Sequence, residues 1–560
     1  MGASVSTLFG WIYWYISPAP RKITPIVDNT PDNTLLLLSA AAQLASLTSR
    51  MDDGAGTSVS TFDEETENFM KLSSSSSDDE DELSCALQES YRQHLFEKNR
   101  RSIGPARLLV GKKNSYDNLV TQTSAACGTR SSAFSANCRR ELGLNHTSVD
   151  AYSDAKKVSL NNNYFPNQRK VLDNLRAKIF CVQHLEETDE LAIACQEERL
   201  YFYKPVGKNE RYVKSRTIEL TSVGWSVLDV AFNQQGSGFA YCTWKDSIMY
   251  CRYLDEHKIQ YECINLSIPL VHSSSLAVFS IRFSNPGHEI LAGTSDYSIY
   301  IFDIETQSRV VSVNQAHDDD VNAVCYADEA GNLIFSGGDD GIVKAWDRRC
   351  LREGDNTPVG YFAGHKDGIT YIDSRGDSRY LLSNSKDQTI KLWDVRHFSS
   401  NEAAEETKRS VSKQNWDYRW QAAPKMIEKP LNGDSSIATL RGHRVLHTLI
   451  RAKFSPASTG QRYIYTGCAG GEVVVYDIIS GSLKARLSGH QAVVRDVSWS
   501  ANRNEIVSSS WDGQATCWRY GESNKTTTAE STKRVNPPQL SGRVKKCTRQ
   551  GTSSTRNRRC

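Results

Sequence analysis

Ser383-Asn384-Ser385-Lys386-Asp387-Gln388-Thr389-Ile390-Lys391-Leu392-Trp393-Asp394 contains a spacing that recurs seven times between about residues 175 and 520. A small or hydroxylic residue is followed four positions later by an acidic one, and an aromatic comes six positions after that. Two further copies are complete: Ser336, Asp340 and Trp346, and Ser508, Asp512 and Trp518. Each complete copy has a histidine 22 or 23 residues before its aspartate: His317, His365 and His490. Four copies are degenerate: Ile193, Glu197 and Tyr203; Cys242, Asp246 and Arg252; Ala292, Asp296 and Phe302; Thr466, Gly470 and Tyr476. Self-similarity at this period is the mark of a repeat architecture.

Each copy reads as a four-stranded antiparallel blade. Runs such as Ile390-Lys391-Leu392-Trp393 alternate between two faces, as a strand requires. The aspartate suits a tight turn, where its carboxylate caps backbone donors. The histidine and serine then complete a buried hydrogen-bond chain to the indole N–H, since buried polar groups need partners. These residues resemble the WD-repeat family, with Gly364-His365 and Trp393-Asp394 as its name-giving pairs. The fold expected is all-β, a seven-bladed WD-repeat β-propeller with disordered extensions at both ends. Blades are placed at about 175–205, 225–255, 277–306, 317–350, 365–396, 445–478 and 490–520.

Around the propeller, expected at 166–522, residues 1–165 look largely disordered, rich in Ser, Asn, Asp and Thr. They contain the acidic run Ser73–Glu82, a phosphorylation-prone stretch, and two candidate helices at Leu35–Leu47 and Leu83–Leu95. Gly2 with Ser6 fits an N-myristoylation pattern, and Leu8–Ile16 is apolar but too short to span a bilayer. Membrane contact is therefore expected, if at all, through a lipidated N-terminus. Residues 523–560 form a basic tail. An insertion at 397–440, between blades five and six, carries Trp416, Tyr418 and Trp420; it either pins itself to the propeller or meets a ligand.

The formal charge of +2 gives no whole-chain argument for nucleic acid. The 14 cysteines form no CxxC pair, so no metal site is expected, and they read as buried, reduced thiols. No phosphate loop or HExxH is present. His, Ser and Asp recur together, but in three separate blades, engaged with one another and with Trp, so no nucleophile is free. No catalytic residue and no cofactor is expected.

Trp346-Asp347-Arg348-Arg349 and Trp393-Asp394-Val395-Arg396 both fit W-D-x-R and end consecutive blades. The segments Gly224–Phe232, Asp318–Val324, Phe335–Gly341, Gln414–Trp420, Val445–Arg451 and Arg495–Trp499 are distinctive as well. Together they resemble the substrate receptors of cullin-4 ubiquitin ligases, the cullin-4-associated factors. The resemblance covers roughly 220–520, and blade one, with Ile193 and Glu197, departs from the motif. It implies a non-catalytic receptor that docks on the damaged-DNA-binding protein one adaptor through Arg349 and Arg396 with Asp347 and Asp394. It implies a client protein, in the family a stress-response basic-leucine-zipper factor, presented for ubiquitination and proteasomal degradation, with nuclear and cytoplasmic localisation. Client contacts are placed on the loops before each first strand, at Trp225, Asp319, Arg444, Arg451 and Arg495. The alternative is a passive scaffold in a nuclear RNA-processing or chromatin complex.

Overall fold

The computed structural model describes residues 93, 96–97, 107–127, 154–207, 211–224, 226–255, 258–266, 276–352, 356–424 and 429–521. Seven antiparallel sheets follow one another around a ring. They occupy residues 179–219, 227–265, 278–313, 321–362, 369–394 with 438–441, 452–488, and 494–519 with 168–174. Within each repeat the first strand is innermost and the later ones step outward, while blades five and seven each gain an outermost strand from earlier in the chain. Blade seven takes its outermost strand, Gln168–Asn174, from the start of the described propeller, paired antiparallel with Gln514–Arg519. The ring therefore closes by hydrogen bonds between the two ends of the repeat block.

Apolar side chains fill the spaces between neighbouring blades. Leu382, Ile390 and Leu392 of blade five interlock with Ile464, Val474 and Tyr476 of blade six. Tyr463, Val473 and Val475 do the same with Val497, Ile506 and Trp518 of blade seven. Middle strands are buried on both sides, as in Glu190–Cys195 and Tyr380–Ser385.

Three features differ from the sequence expectation. The blades extend beyond the motif: outer strands such as Arg211–Glu219 and Ser482–Ser488 fill the gaps between the expected spans. They are mostly half-buried or exposed, so nothing holds them to one residue pattern. Residues 438–440, assigned above to the insertion, belong to Ala438–Arg441, the fourth strand of blade five. Finally, residues 107–127 and 154–163, expected within a disordered region, are ordered parts of the propeller's wall. Arg107–Val110 adds a fifth strand to blade five, paired with Ala438–Arg441.

Helix α1 (Lys113–Cys127) buries Tyr116, Leu119, Thr123 and Cys127, one face in an otherwise polar sequence. Helix α2 is Asp154–Asn163. Both hydrogen-bond blade six: Tyr116 Oη donates to the Ile478 carbonyl at 2.7 Å, and Asn161 and Asn162 amides donate to the Ser458 and Thr459 carbonyls at 3.0 and 3.2 Å. Blade six, where Gly470 stands in place of the turn aspartate, is thus buttressed from outside. Gly2, Leu8–Ile16, the acidic run, the 35–47 helix, Trp225 and the basic tail lie outside the described residues, as does the 83–95 helix apart from Gln93, which is helical. Among the described residues no helix is long and apolar enough to cross a membrane.

Candidate protein-docking faces

The three complete motif copies build the same buried chain. In blade five, His365 Nδ1 lies 3.0 Å from Asp387 Oδ2, His365 Nε2 2.7 Å from Ser383 Oγ, and Trp393 Nε1 donates to that Oγ at 2.8 Å. In blade four, His317, Asp340, Ser336 and Trp346 repeat it at 3.0, 2.7 and 2.8 Å. In blade seven, His490, Asp512, Ser508 and Trp518 give 3.1, 2.8 and 2.9 Å. Each aspartate also caps its turn; Asp387 accepts from the backbone N–H of Lys366 and of Thr389, both at 3.0 Å. Burial pushes the Asp387 carboxyl up, but His365, Thr389 and these amides more than offset it and hold it well below the usual carboxylate range. The serine oxygens are fully buried and engaged on two sides, so they serve the fold. Blade six retains a partial version that the spacing rule overlooks: His443, fully enclosed, sits 3.2 Å from Tyr476 Oη and 2.9 Å from Asn384 Oδ1. Its Gly442-His443 pair was legible, but no aspartate follows at the motif distance.

The channel is crossed by an ionic network. A bulge at the start of the innermost strands of blades two and seven, between Val227 and Asp229 and between Val494 and Asp496, aligns the two aspartates. Arg451 bridges them, donating through Nη2 to Asp229 Oδ1 at 2.7 Å and through Nη1 to Asp496 Oδ2 at 3.3 Å. Arg282 and Lys453 pair with the same carboxylates at 2.8 and 2.7 Å. Burial raises the Asp229 carboxyl, yet Arg451 and Arg282 bring it down to about 2. Arg495 donates to the Leu228 carbonyl at 2.9 Å and lies over the Phe180 ring. Arg451 and Arg495 were placed above among client contacts; both are buried inside the ring and act as cross-links between blades. A cavity of about 360 Å³ remains beside this network, lined by His184, Phe232, Arg282, Tyr371 and Trp499 among others.

The face carrying the motif histidines and aspartates is roofed in part by the insertion. Helix α3 (Asn401–Ser412), N-capped by Ser400, lays Ala403, Ala404 and Thr407 against blade four. Beyond it, Trp416 Nε1 donates to Asp367 Oδ2 at 2.9 Å, and the ring packs with Val445, Leu446 and Ile450. The Tyr418 ring lies under Lys386 Nζ, 4.3 Å from the centroid, and that ammonium donates to Asp339 Oδ2 at 2.7 Å. These aromatics pin the insertion to the propeller. Of the remaining client candidates, Asp319 is exposed on this face, where it accepts from the Asp320 N–H at 2.9 Å. Arg444 is half-buried, and its backbone joins the Cys468–Ala469 turn.

On the opposite face, blades four and five end in matching forks. Arg349 Nε and Nη2 donate to Asp347 Oδ1 and Oδ2 at 3.0 and 2.7 Å. Arg396 makes the same pair with Asp394 at 2.9 and 2.6 Å. The arginine side chains are 70% and 52% exposed, and each lies at the surface paired with its own aspartate. Asp347 and Asp394, named with the arginines in the sequence reading, thus occupy the guanidinium forks themselves. The same fork occurs a third time, unrecognised in the sequence because it lies outside any blade: Arg419 pairs with Asp417 at 3.0 and 2.8 Å within Trp416-Asp417-Tyr418-Arg419. Among the described residues no cluster of His, Cys, Asp or Glu could hold a metal ion.

The WD domain, G-beta repeat family matches residues 308–347, 356–394 and 481–519, which are blades four, five and seven. The chain is 45% identical over 441 residues to the DDB1- and CUL4-associated factor 11 homolog of Caenorhabditis elegans, covering 77% of this chain and 76% of that protein. For the Caenorhabditis briggsae homolog the identity is 44% over 458 residues, covering 80% and 83%. The LEC14B protein of Lithospermum erythrorhizon is 50% identical over 250 residues, 44% of this chain and 51% of its own. The chain belongs to the DDB1- and CUL4-associated factor 11 family of WD-repeat proteins.

Proposed function

We propose that this protein is a non-catalytic substrate receptor of a cullin-4 ubiquitin ligase. The face bearing Arg349 and Arg396 docks on the DDB1 adaptor named in its relatives, and the histidine-bearing face presents a client protein. The observation that carries this reading is the pair of exposed Asp–Arg forks in equivalent positions on adjacent blades. Pairing with its own aspartate orients each guanidinium along the surface, and arginine is a favoured interface anchor. The buried hydroxyls and carboxylates of the motif sets are engaged with one another, so bond chemistry is left to the ligase. The receptor contributes effective concentration, holding client lysines where ubiquitin is transferred. Co-purification of the adaptor with wild type and with the Arg349→Ala/Arg396→Ala variant tests this. Loss of the adaptor with an unchanged melting temperature is expected; equal recovery removes the docking claim.

A further inference from the structure

Between the two forks the surface changes character. Val359, which precedes the outer strand of blade four (Gly360–Phe362), is 54% exposed, and Phe398, four residues after Asp394 of blade five, is 38% exposed. The Phe398 ring crosses from blade five onto blade four, 5.3 Å from the centroid of Phe362. It rests on Gly360, where a Cβ would collide with the ring. The Val359 N–H donates to the carbonyl of Ala345, two residues before Asp347, so the pair is tied to the strand that ends in the first fork. The forks flanking it are internally neutralised, since Nε and Nη2 of each arginine are engaged by their own aspartate. Only outward guanidinium N–H groups and flat guanidinium faces are left for a partner.

Resting on the reading above, we infer that Val359 and Phe398 form the apolar centre of the adaptor-docking surface. The adaptor meets it with apolar or aromatic side chains, and with backbone carbonyls for the free guanidinium N–H groups. Carboxylates are not the complement, because an aspartate already fills each fork. An apolar centre depleted of net charge, ringed by arginine, is the composition of a stable interface core. Phe398 is the anchor and Gly360 the seat that fixes it.

Binding of purified DDB1 is measured by titration for wild type, Arg349→Ala/Arg396→Ala, Phe398→Ser and Val359→Ser, each with its thermal melt. Phe398→Ser and Val359→Ser should each weaken binding about tenfold or more; Val359→Ser, at a mostly exposed side chain, should leave the melt unshifted, whereas Phe398→Ser also loses its packing on Phe362 and is titrated well below its own lowered melt. Wild-type affinity should change less than about threefold between 0.1 and 0.5 M salt, since few unpaired charges are brought together. If the arginine variant loses binding while both apolar variants stay within about twofold of wild type, the apolar centre is overturned and the docking reading stands. If wild type itself does not bind, both fall. A dimer of the chain alone that Phe398→Ser dissolves would assign the patch to a second copy and overturn the proposal.

Discussion

Removing the Asp387 carboxylate tests how far the buried chain holds blade five together. Four donors converge on it: His365 Nδ1, the N–H of Lys366, the N–H of Thr389 and Thr389 Oγ1, the last at 2.6 Å. In Asp387→Ala the Thr389 hydroxyl, 3.4 Å from His365 Nδ1, can take over as acceptor for the imidazole. Two backbone N–H groups are then left without a partner in a site that is 2% exposed. At about 1–3 kcal/mol for each orphaned buried donor, less the relieved burial of a charge, the loss is about 3 kcal/mol. At ~2 °C per kcal/mol for a domain this long, the melting temperature should fall by roughly 6 °C. Asp387→Asn keeps one acceptor oxygen and should lose about half as much. The pH dependence has a definite sign. The folded carboxyl is depressed below its usual value of 3.8, so its stabilisation is fully present above that value and lost as pH falls below it. The difference between wild type and Asp387→Ala should therefore be constant from about pH 5 to 8 and shrink below about pH 4. Thermal denaturation followed by circular dichroism reads both. A variant melting within about 1 °C of wild type at pH 7 would reduce this aspartate to an ordinary turn residue.

Other perturbations probe other parts of the ring. His443 is held neutral, its pKa lowered to about 3 by burial, so stability should decline as pH falls below about 6.5, by about 1.4 kcal/mol per pH unit; His443→Gln should flatten that slope in melts between about pH 4.5 and 7. Burial and then the neighbouring carboxylates of Asp339 and Asp319 push Asp320 up to about 8. Its charged form is disfavoured in the fold, so Asp320→Asn should raise the melting temperature at about pH 9 and leave it unchanged near pH 4. Arg451→Met removes the bridge between Asp229 and Asp496 and leaves each with one cationic partner, Arg282 or Lys453; it should cost about 3 kcal/mol in urea unfolding, and a loss under about 1 kcal/mol would show that those two suffice.

What the sequence disclosed follows from which interactions constrain residue type. The His–Ser–Asp–Trp sets were legible because a buried hydrogen-bond chain tolerates few alternatives and fixes the spacing of its members. Outer strands such as Gln168–Asn174 were not, because their side chains are mostly exposed and no partner dictates them. Helix α1 was hidden by its composition: one buried face, with Leu119 at its centre, inside a polar sequence. Arg451 and Arg495 were misplaced because a charged residue near a loop reads as solvent-facing, and only closure of the ring turns that position inward. Residues Trp416–Arg419 were noticed for their aromatics, but the pinning of Trp416 to Asp367, 49 residues earlier in the chain, depends on the tertiary path of the insertion.

Hydrogen exchange of the chain alone and in complex with DDB1 shows which face meets the adaptor. Docking through the forks should slow exchange at residues 347–351 and 394–399, the two fork turns and the strip leading to Phe398, with 318–320 and 416–421 unchanged. Protection confined to the histidine-bearing face, or none on either face, would contradict it.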